Sequence, residues 1–428
     1  MRPLRSLTGR VALAVAVVGA ALGLVAPKDA RGADAAGELP SPLEPDAVLA
    51  FARDHRAELV AAKSRSDAAL QTPKVVSALP DPMVMASIDH LPFKLDGVDF
   101  SVQVQQDFPL GGVLGARGRG AEAEARAVSA DAQRVRLDVE YEALAAYLMW
   151  VELQRSGVVI DEQLAVAKQI HAITKIRLSV NDAGAADVLR AQTDVAKLEG
   201  ERKAIDAEVA AAASVLDATL ARPLDAPLPA PALIVPASEP PLVAELVRLA
   251  VDKRPELASL KARVDVARAK GDEAHELYKP VAFVRAGYSQ SMLEGPGAMV
   301  MLGVSVPIWR DKLSAGVAEA SSMAVSAEAD VAATSRAIEG EVAAARGQVV
   351  AARVRFATAH ETVVPLAREA LQAMITTYTA GQTPLVSVLD SARLVREARM
   401  EEVVAELKLA TAWARLGRAV GVVKVGLP

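Results

Sequence analysis

The sequence predicts an α+β fold of long antiparallel helices and two β-hairpins, four strands in all. Three observations carry this. The chain repeats itself: Glu58-Leu59-Val60-Ala61-Ala62-Lys63 reads onto Glu256-Leu257-Ala258-Ser259-Leu260-Lys261, 198 positions on. Pro82 maps onto Pro280 and Phe108-Pro109-Leu110 onto Val306-Pro307-Ile308 at the same offset, and Val188-Leu189 onto Val388-Leu389 at 200. Second, hydrophobic residues make up 52% of the chain but aromatics only 3%, so the apolar content is mainly Ala, Val and Leu, which suits closely packed helices. Third, one segment in each copy switches from helical periodicity to strict alternation.

Residues 1–35 read as a signal peptide and N-terminal segment. Arg2, Arg5 and Arg10 precede an apolar run from Val11 to Ala26, with small-residue cleavage options at Ala30-Arg31-Gly32 and Ala33-Asp34-Ala35. The alternative, a membrane anchor, needs a longer run. No later stretch stays apolar and uncharged for about 20 residues, so any further membrane relation is peripheral or through a β-barrel. The absence of cysteine excludes disulfides, thiolate metal sites, a Cys nucleophile and a lipidated N-terminal Cys. Net charge is −5, so no basic footprint for nucleic acid exists.

The first copy spans 45–221. A helix over 45–71 opens with Pro45 in its first turn. The hairpin occupies 80–109. In it, Val98-Asp99-Phe100-Ser101-Val102-Gln103-Val104-Gln105 alternates apolar and polar, giving a strand with one greasy and one wet face. Met83 to Ile88 supplies its partner, and Asp96-Gly97 a turn. Residues 113–180 carry no Pro and predict one helix of about 100 Å, too long for a globular domain to hide. Asn181-Asp182-Ala183-Gly184 turns the chain into a return helix over 185–221. Seven prolines in 222–241 then make a linker without regular structure.

The second copy, 242–421, repeats the order: a helix over 242–278, a hairpin over 281–308 turning at Leu293-Glu294-Gly295-Pro296-Gly297, a long helix over 313–379 and a return helix over 385–421. Pro365 predicts a kink or break in the long helix. Four strands cannot close a barrel within one chain. Open strand edges in lipid would leave backbone groups unsatisfied, so a homo-oligomer pooling its strands is the economical solution.

This order of motifs resembles the TolC family of outer-membrane efflux ducts over about residues 45–421. The carrying pieces are His55-Arg56-Ala57-Glu58-Leu59 with Lys253-Arg254-Pro255-Glu256-Leu257, the Phe108-Pro109-Leu110 and Val306-Pro307-Ile308 elements, and the turn motifs Ala186-Asp187-Val188-Leu189-Arg190-Ala191, Tyr378-Thr379-Ala380-Gly381 and Val388-Leu389-Asp390. The resemblance implies an α+β membrane duct, in which long antiparallel helices form a periplasmic α-barrel or coiled-coil tunnel. Four strands per protomer would join a trimeric outer-membrane β-barrel. It implies a homotrimer in outer-membrane lipid, extending into the periplasm and docked to a periplasmic adaptor (a membrane fusion protein) and an inner-membrane efflux pump. Leu79-Pro80-Asp81-Pro82-Met83 is similar to a segment of heavy-metal cation systems and points towards metal-ion export.

No catalytic constellation or cofactor motif is evident, so no enzyme activity and no cofactor are expected. His55, His90, His171, His275 and His360 are scattered, and Gly115-Ala116-Arg117-Gly118-Arg119-Gly120 lacks the order and the preceding strand of a phosphate loop. Met83, Met85, Met292, Met299 and Met301 fall on the strands. They read either as thioether ligands for soft cations or as apolar packing against lipid or barrel. A duct must stay shut until engaged, and the charged turns suit a gate: Asp182, Asp187 and Arg190 in the first copy, Asp390 and Arg393 in the second. The competing reading is helix capping and solvation. Asp99, Ser101, Gln103 and Gln105 are the candidate lumen-facing strand residues, with Val98, Phe100, Val102 and Val104 towards lipid. The reading is thus a passive export channel. The alternative is a non-channel periplasmic coiled-coil scaffold or adaptor, which leaves two amphipathic hairpins without a use.

Overall fold

The computed structural model describes residues 38–89, 99–224, 226–291 and 295–426. The expected signal segment, His90, the expected Asp96-Gly97 turn, Val98, Met292 and Leu293-Glu294 of the second expected turn lie outside them.

Three helices open the described chain: α1 (Pro45–His55), α2 (Ala57–Ala69) and α3 (Thr72–Val76). Strands β1 (Met83–Asp89) and β2 (Asp99–Pro109) follow, then α4 (Val113–Ser179) and α5 (Ala185–Thr219). After the proline-rich stretch come α6 (Val243–Lys253), α7 (Pro255–Glu276), β3 (Val281–Ser291) and β4 (Gly295–Ser305). The chain ends in α8 (Arg310–Thr358), α9 (Val364–Thr379) and α10 (Leu385–Val420). No helix among the described residues is long and apolar enough to cross a membrane.

The opening helix of each half is broken where one continuous helix was expected. Pro255 clashes with an αR residue before it, so Arg254 is extended (ψ 117°), and α6 stops. Arg56 is extended in the same way (ψ 123°) without a proline. What the two share is the arginine side chain. Arg56 bonds Glu58 and Glu142 (both 2.9 Å) and the Thr219 carbonyl (2.7 Å). Arg254 bonds Glu256 (3.1 Å), Glu341 (2.6 Å) and the Ala419 carbonyl (3.2 Å). Each guanidinium therefore ties the kink to the long helix and to the C-terminal end of the return helix, using the fork geometry that only Arg supplies.

Helix α4 has 67 residues and is therefore about 100 Å long. It packs against α5, α7 and α10. Near the strands its buried residues are small (Ala116, Gly118, Ala123, Ala127), as are those of α7 (Ala262, Ala267, Ala269). Small side chains let two backbones approach closely, and the rims add ion pairs Arg117–Glu273 (2.6 Å), Arg126–Asp265 (3.0 Å) and Asp131–Arg263 (2.9 Å). Further down, larger residues fill the bundle. Tyr147, Leu144, Leu49, Leu216 and Leu407 form one cluster, and Trp413, Leu246, Val342 and Val349 another. The Tyr147 hydroxyl donates to the Leu43 carbonyl (2.8 Å), and burial pushes its pKa up to about 12. The second long helix is interrupted: a π-turn spans Ala359–Val363, just before Pro365 in the first turn of α9, where its missing N–H matters least.

The strands form one antiparallel sheet in the order β1-β2-β3-β4. Its central pair, β2 with β3, joins the two halves of the chain.

Candidate gate and channel lining

Both helix-to-helix turns at the end opposite the sheet are built alike. Asn181 adopts φ 64° and Gly381 φ 75°. The next N–H reaches back to the last helical turn in each: Asp182 to the Arg177 carbonyl (2.8 Å) and Gln382 to the Thr377 carbonyl (3.0 Å). This is how a helix ends on a left-handed residue, for which Gly and Asn are suited.

Arg177 brings the two turns together. Its guanidinium holds the Asp182 carboxylate (2.8 Å), donates to the Tyr378 carbonyl (2.8 Å) and lies over the Tyr378 ring, 4.3 Å from its centroid. The Tyr378 hydroxyl meets Thr174 Oγ1 at 3.0 Å, and Thr174 in turn donates to the Ile170 carbonyl (2.8 Å). The threonine proton is thus used, and Tyr378 is the donor to it. Ile170, Leu371, Leu385 and Val388 pack around this pair. A methyl group at Gly381 would stand 3.3 Å from the Asp182 carboxylate, so the glycine also leaves room for the arginine–aspartate pair.

Of the five predicted gate residues, only Asp182 joins this cluster. Asp187 and Arg190 pair with each other across one turn (3.4 Å), as do Asp390 and Arg393 (3.9 Å). The last pair is well exposed on both sides, a geometry of little energetic weight. Asp187 sits in the first turn of α5, where a negative charge is favourable to the helix dipole. Sequence reading passed over Arg177, Thr174 and Tyr378. Only Tyr378 carried a signal, through the Tyr378-Thr379-Ala380-Gly381 turn.

The sheet has two chemically distinct faces. Directly opposed residues in antiparallel strands share a face. One row runs Val84, Val104, Ala286, Val300 and the next Ala86, Val102, Tyr288, Ala298. Val84, Val102, Val104, Val300 and Leu302 on this face are exposed apolar side chains. The other face carries Ser101, Gln103 and Gln105 together. Ser101 bonds Ser87 (2.8 Å) and Gln103 (3.1 Å), Gln105 bonds Asp107 (2.8 Å), and the Arg285 guanidinium donates to the Gln105 carbonyl oxygen (3.0 Å). Asp99, the first residue of β2, lies on the same face as Ser101. Among the described residues, no group of three or more His, Asp or Glu is placed to hold a metal ion.

Residues 246–422 match the model of the outer membrane efflux protein family. Over that stretch the chain resembles the outer membrane efflux proteins. The efflux-protein fold extends over nearly everything described. The chain is similar to CusC (TM-score 0.77, 15% identity, covering 88% of this chain and 92% of that one). It is similar to the outer membrane protein VceC of Vibrio cholerae (0.72, 16%, 88% and 96%) and to the open state of the Neisseria gonorrhoeae outer membrane channel MtrE (0.73, 17%, 88% and 89%). Comparison with curated proteins gave no match. The TolC-type resemblance read from the motifs therefore holds at the level of fold, with long antiparallel helices and four antiparallel strands in one chain.

Proposed function

We propose that this efflux protein is the outer-membrane channel of a tripartite export system, passively conducting what an inner-membrane pump delivers through a periplasmic adaptor. The observation that carries the reading is the sheet. It is apolar and exposed on one face, polar and internally bonded on the other, and among the described residues β1 and β4 each have one neighbour. A lone sheet of this kind cannot sit in lipid, where unpaired backbone groups cost several kcal/mol each. Three copies pairing β4 to β1 in a ring would give a closed twelve-stranded barrel with Val84, Val102, Val104 and Leu302 against lipid and Ser101, Gln103 and Gln105 on water. A scaffold has no use for such a sheet. The helices then continue the pore as a periplasmic tunnel, and the Arg177–Asp182–Tyr378 cluster closes its tip, with Asp187, Arg190, Asp390 and Arg393 as weaker contributors.

Metal cations are the cargo we favour, on the Leu79-Pro80-Asp81-Pro82-Met83 segment. The experiment is reconstitution in planar bilayers together with a deletion strain. Stable conductance, with copper, silver or zinc sensitivity of the strain, is the expected result. Absence of conductance from well-folded protein would remove the channel, and normal metal tolerance would remove the metal cargo alone.

A further inference from the structure

The helices nearest the sheet stand in a row. α2 packs on α4, α4 on α7 and α7 on α8, so α2 and α8 are its two ends. Both ends are bare. Ala62 is the one buried residue of α2, and α8 buries nothing before Ile338.

The internal repeat identifies what each end would pack against. The halves match in their contacts as well as in sequence. Glu142 and Glu341 accept from the equivalent arginines, Arg56 and Arg254. Tyr147 and Arg346 donate to the equivalent carbonyls of Leu43 and Pro241. These two pairs set α8 at an offset of 199 from α4, while Glu58 and Glu256 set α7 at 198 from α2. Within the chain the halves meet where α4 packs on α7. In a closed ring, the second half of each copy also meets the first half of the next, and like halves make like junctions. The junction between copies is then α8 against α2. Its register follows by carrying the α4–α7 contacts forward. The ion pair Asp131–Arg263 (2.9 Å) is the informative one. Adding 199 to the first and subtracting 198 from the second gives Asp330 and Arg65. We propose that α8 of one copy seats on α2 of the next, with Asp330 paired to Arg65 across each seam. This rests on the ring of copies in the channel reading above.

Both residues are available for it. Arg65 and Asp330 are exposed, and neither enters an ion pair among the described residues; Arg65 bonds only the Ala61 carbonyl of its own helix (3.3 Å). The two ends also carry opposite charge. From Leu313 to Ser335, α8 has Glu319, Glu328 and Asp330 and no cation. From Val60 to Val76, the other end has Lys63, Arg65 and Lys74 against one acid, Asp67. Such complementarity steers the two surfaces together and fixes their register. The remaining ion pairs are not carried over. Arg117 and Glu273 become Gly316 and Val75, and Arg126 becomes Val325. Val75 and Val325 are 73% and 65% exposed in a single copy. The seam therefore covers more apolar surface than the junction inside the chain.

The same operation staggers the sheet. Within one copy Met85 shares a row with Gln103, Gly287 and Met299, and Met83 with Gln105, Arg285 and Met301, so all four methionines lie on the polar face. Carried forward, the pair Asp107–Phe283 sets Ser305 opposite Met85 of the next copy. That is six residues from Met299, and a closed barrel requires a stagger of its strands.

The chain has no cysteine of its own, so Arg65→Cys combined with Asp330→Cys is a clean test. A short bismaleimide should convert the detergent-purified oligomer into covalent dimers and trimers. Within one copy the two positions lie three helix spacings apart, about 27 Å at about 9 Å each, beyond such a linker. Lys74→Cys with Asp330→Cys should not link. Independently, Arg65→Asp should lower the temperature at which the oligomer dissociates, and adding Asp330→Arg should restore it. In a conducting oligomer, absence of the link at 65 and 330, or a double reversal no more stable than the single, would overturn the seam and leave the channel standing. A protein that neither associates nor conducts would remove both.

Discussion

The guanidinium of Arg177, at the end of the first long helix, lies 4.3 Å over the ring of Tyr378, at the end of the second. The two residues belong to different halves of the chain, 201 positions apart. Around them, one carboxylate, two main-chain carbonyls and one buried hydroxyl pair fasten the two helical turns to each other. On the channel reading proposed above, this is the contact a docked partner would have to undo to open the tip.

Arg177→Ala removes three charge-assisted hydrogen bonds, to the Asp182 carboxylate, the Asp182 carbonyl and the Tyr378 carbonyl, and a cation–π contact. Each such hydrogen bond contributes about 1.5–3 kcal/mol, so the closed state should lose roughly a factor of ten or more in population. Single-channel conductance of the reconstituted oligomer should rise accordingly. Asp182→Ala and Tyr378→Phe should give smaller increases. Arg393→Ala should change little, because its pair with Asp390 is long and exposed. Equal effects at Arg177 and Arg393 would count against the cluster as the latch.

Acid should loosen the molecule around the π-turn. Burial pushes the pKa of Glu402 up, but hydrogen bonds from His360 (2.5 Å) and from Arg399 outweigh it, and the net shift is downward. Arg254 does the same for partly buried Glu256. A lowered carboxylate pKa stabilises the fold above its unfolded value, about 4.5, and that contribution fades as pH falls further. Thermal midpoints should therefore fall below about pH 4.5, and the fall should be shallower in Glu402→Gln. An identical pH profile for wild type and variant would refute the assignment.

The paired arginines at the helix breaks should be costly to remove. Arg254 is buried to 7% exposure and bonds two carboxylates and a carbonyl. Arg254→Ala should destabilise by about 2–4 kcal/mol, more than Arg56→Ala, since its partner Glu256 is mostly buried whereas Glu58 and Glu142 are more than half exposed. Arg254→Lys should recover little, as an ammonium cannot fork. Chemical denaturation in detergent gives the comparison, and rescue by lysine would show charge alone to be sufficient.

On the polar face of the sheet, the ring of Phe283 lies across Gly303 on the neighbouring strand, where an added methyl would overlap it. Gly303→Ala should therefore impair folding or assembly, and Phe283→Ala should relieve the defect in the double variant. The cycle should show coupling above about 0.5 kcal/mol. Additive effects would mean the ring moves aside freely.

How far the fold could be read in advance follows from what kind of order each element has. The alternation from Asp99 to Gln105 and the proline-free run after Val113 are local patterns, and β2 and α4 lie where those patterns place them. The breaks at Arg56 and Arg254 were not legible as such. A proline marks one, but the other depends on a side chain bonded to partners 86 and 163 residues away. The tip was legible only in part. Charges at the turns drew notice, yet Thr174 and Tyr378 look like ordinary helix residues until tertiary packing sets them 3.0 Å apart. The side of the sheet taken by the methionines was undecidable from β1 or β4 alone, because it depends on register across four strands.

The most direct measurement is the mass of the detergent-solubilised mature protein by light scattering, corrected for bound detergent. Open edges on β1 and β4 and an exposed apolar face require several copies in one ring, so the expected species is a trimer that stays associated on mild gels and dissociates on heating. A monomer that is stable and soluble without any amphiphile would contradict the shared barrel, and the proposed channel with it.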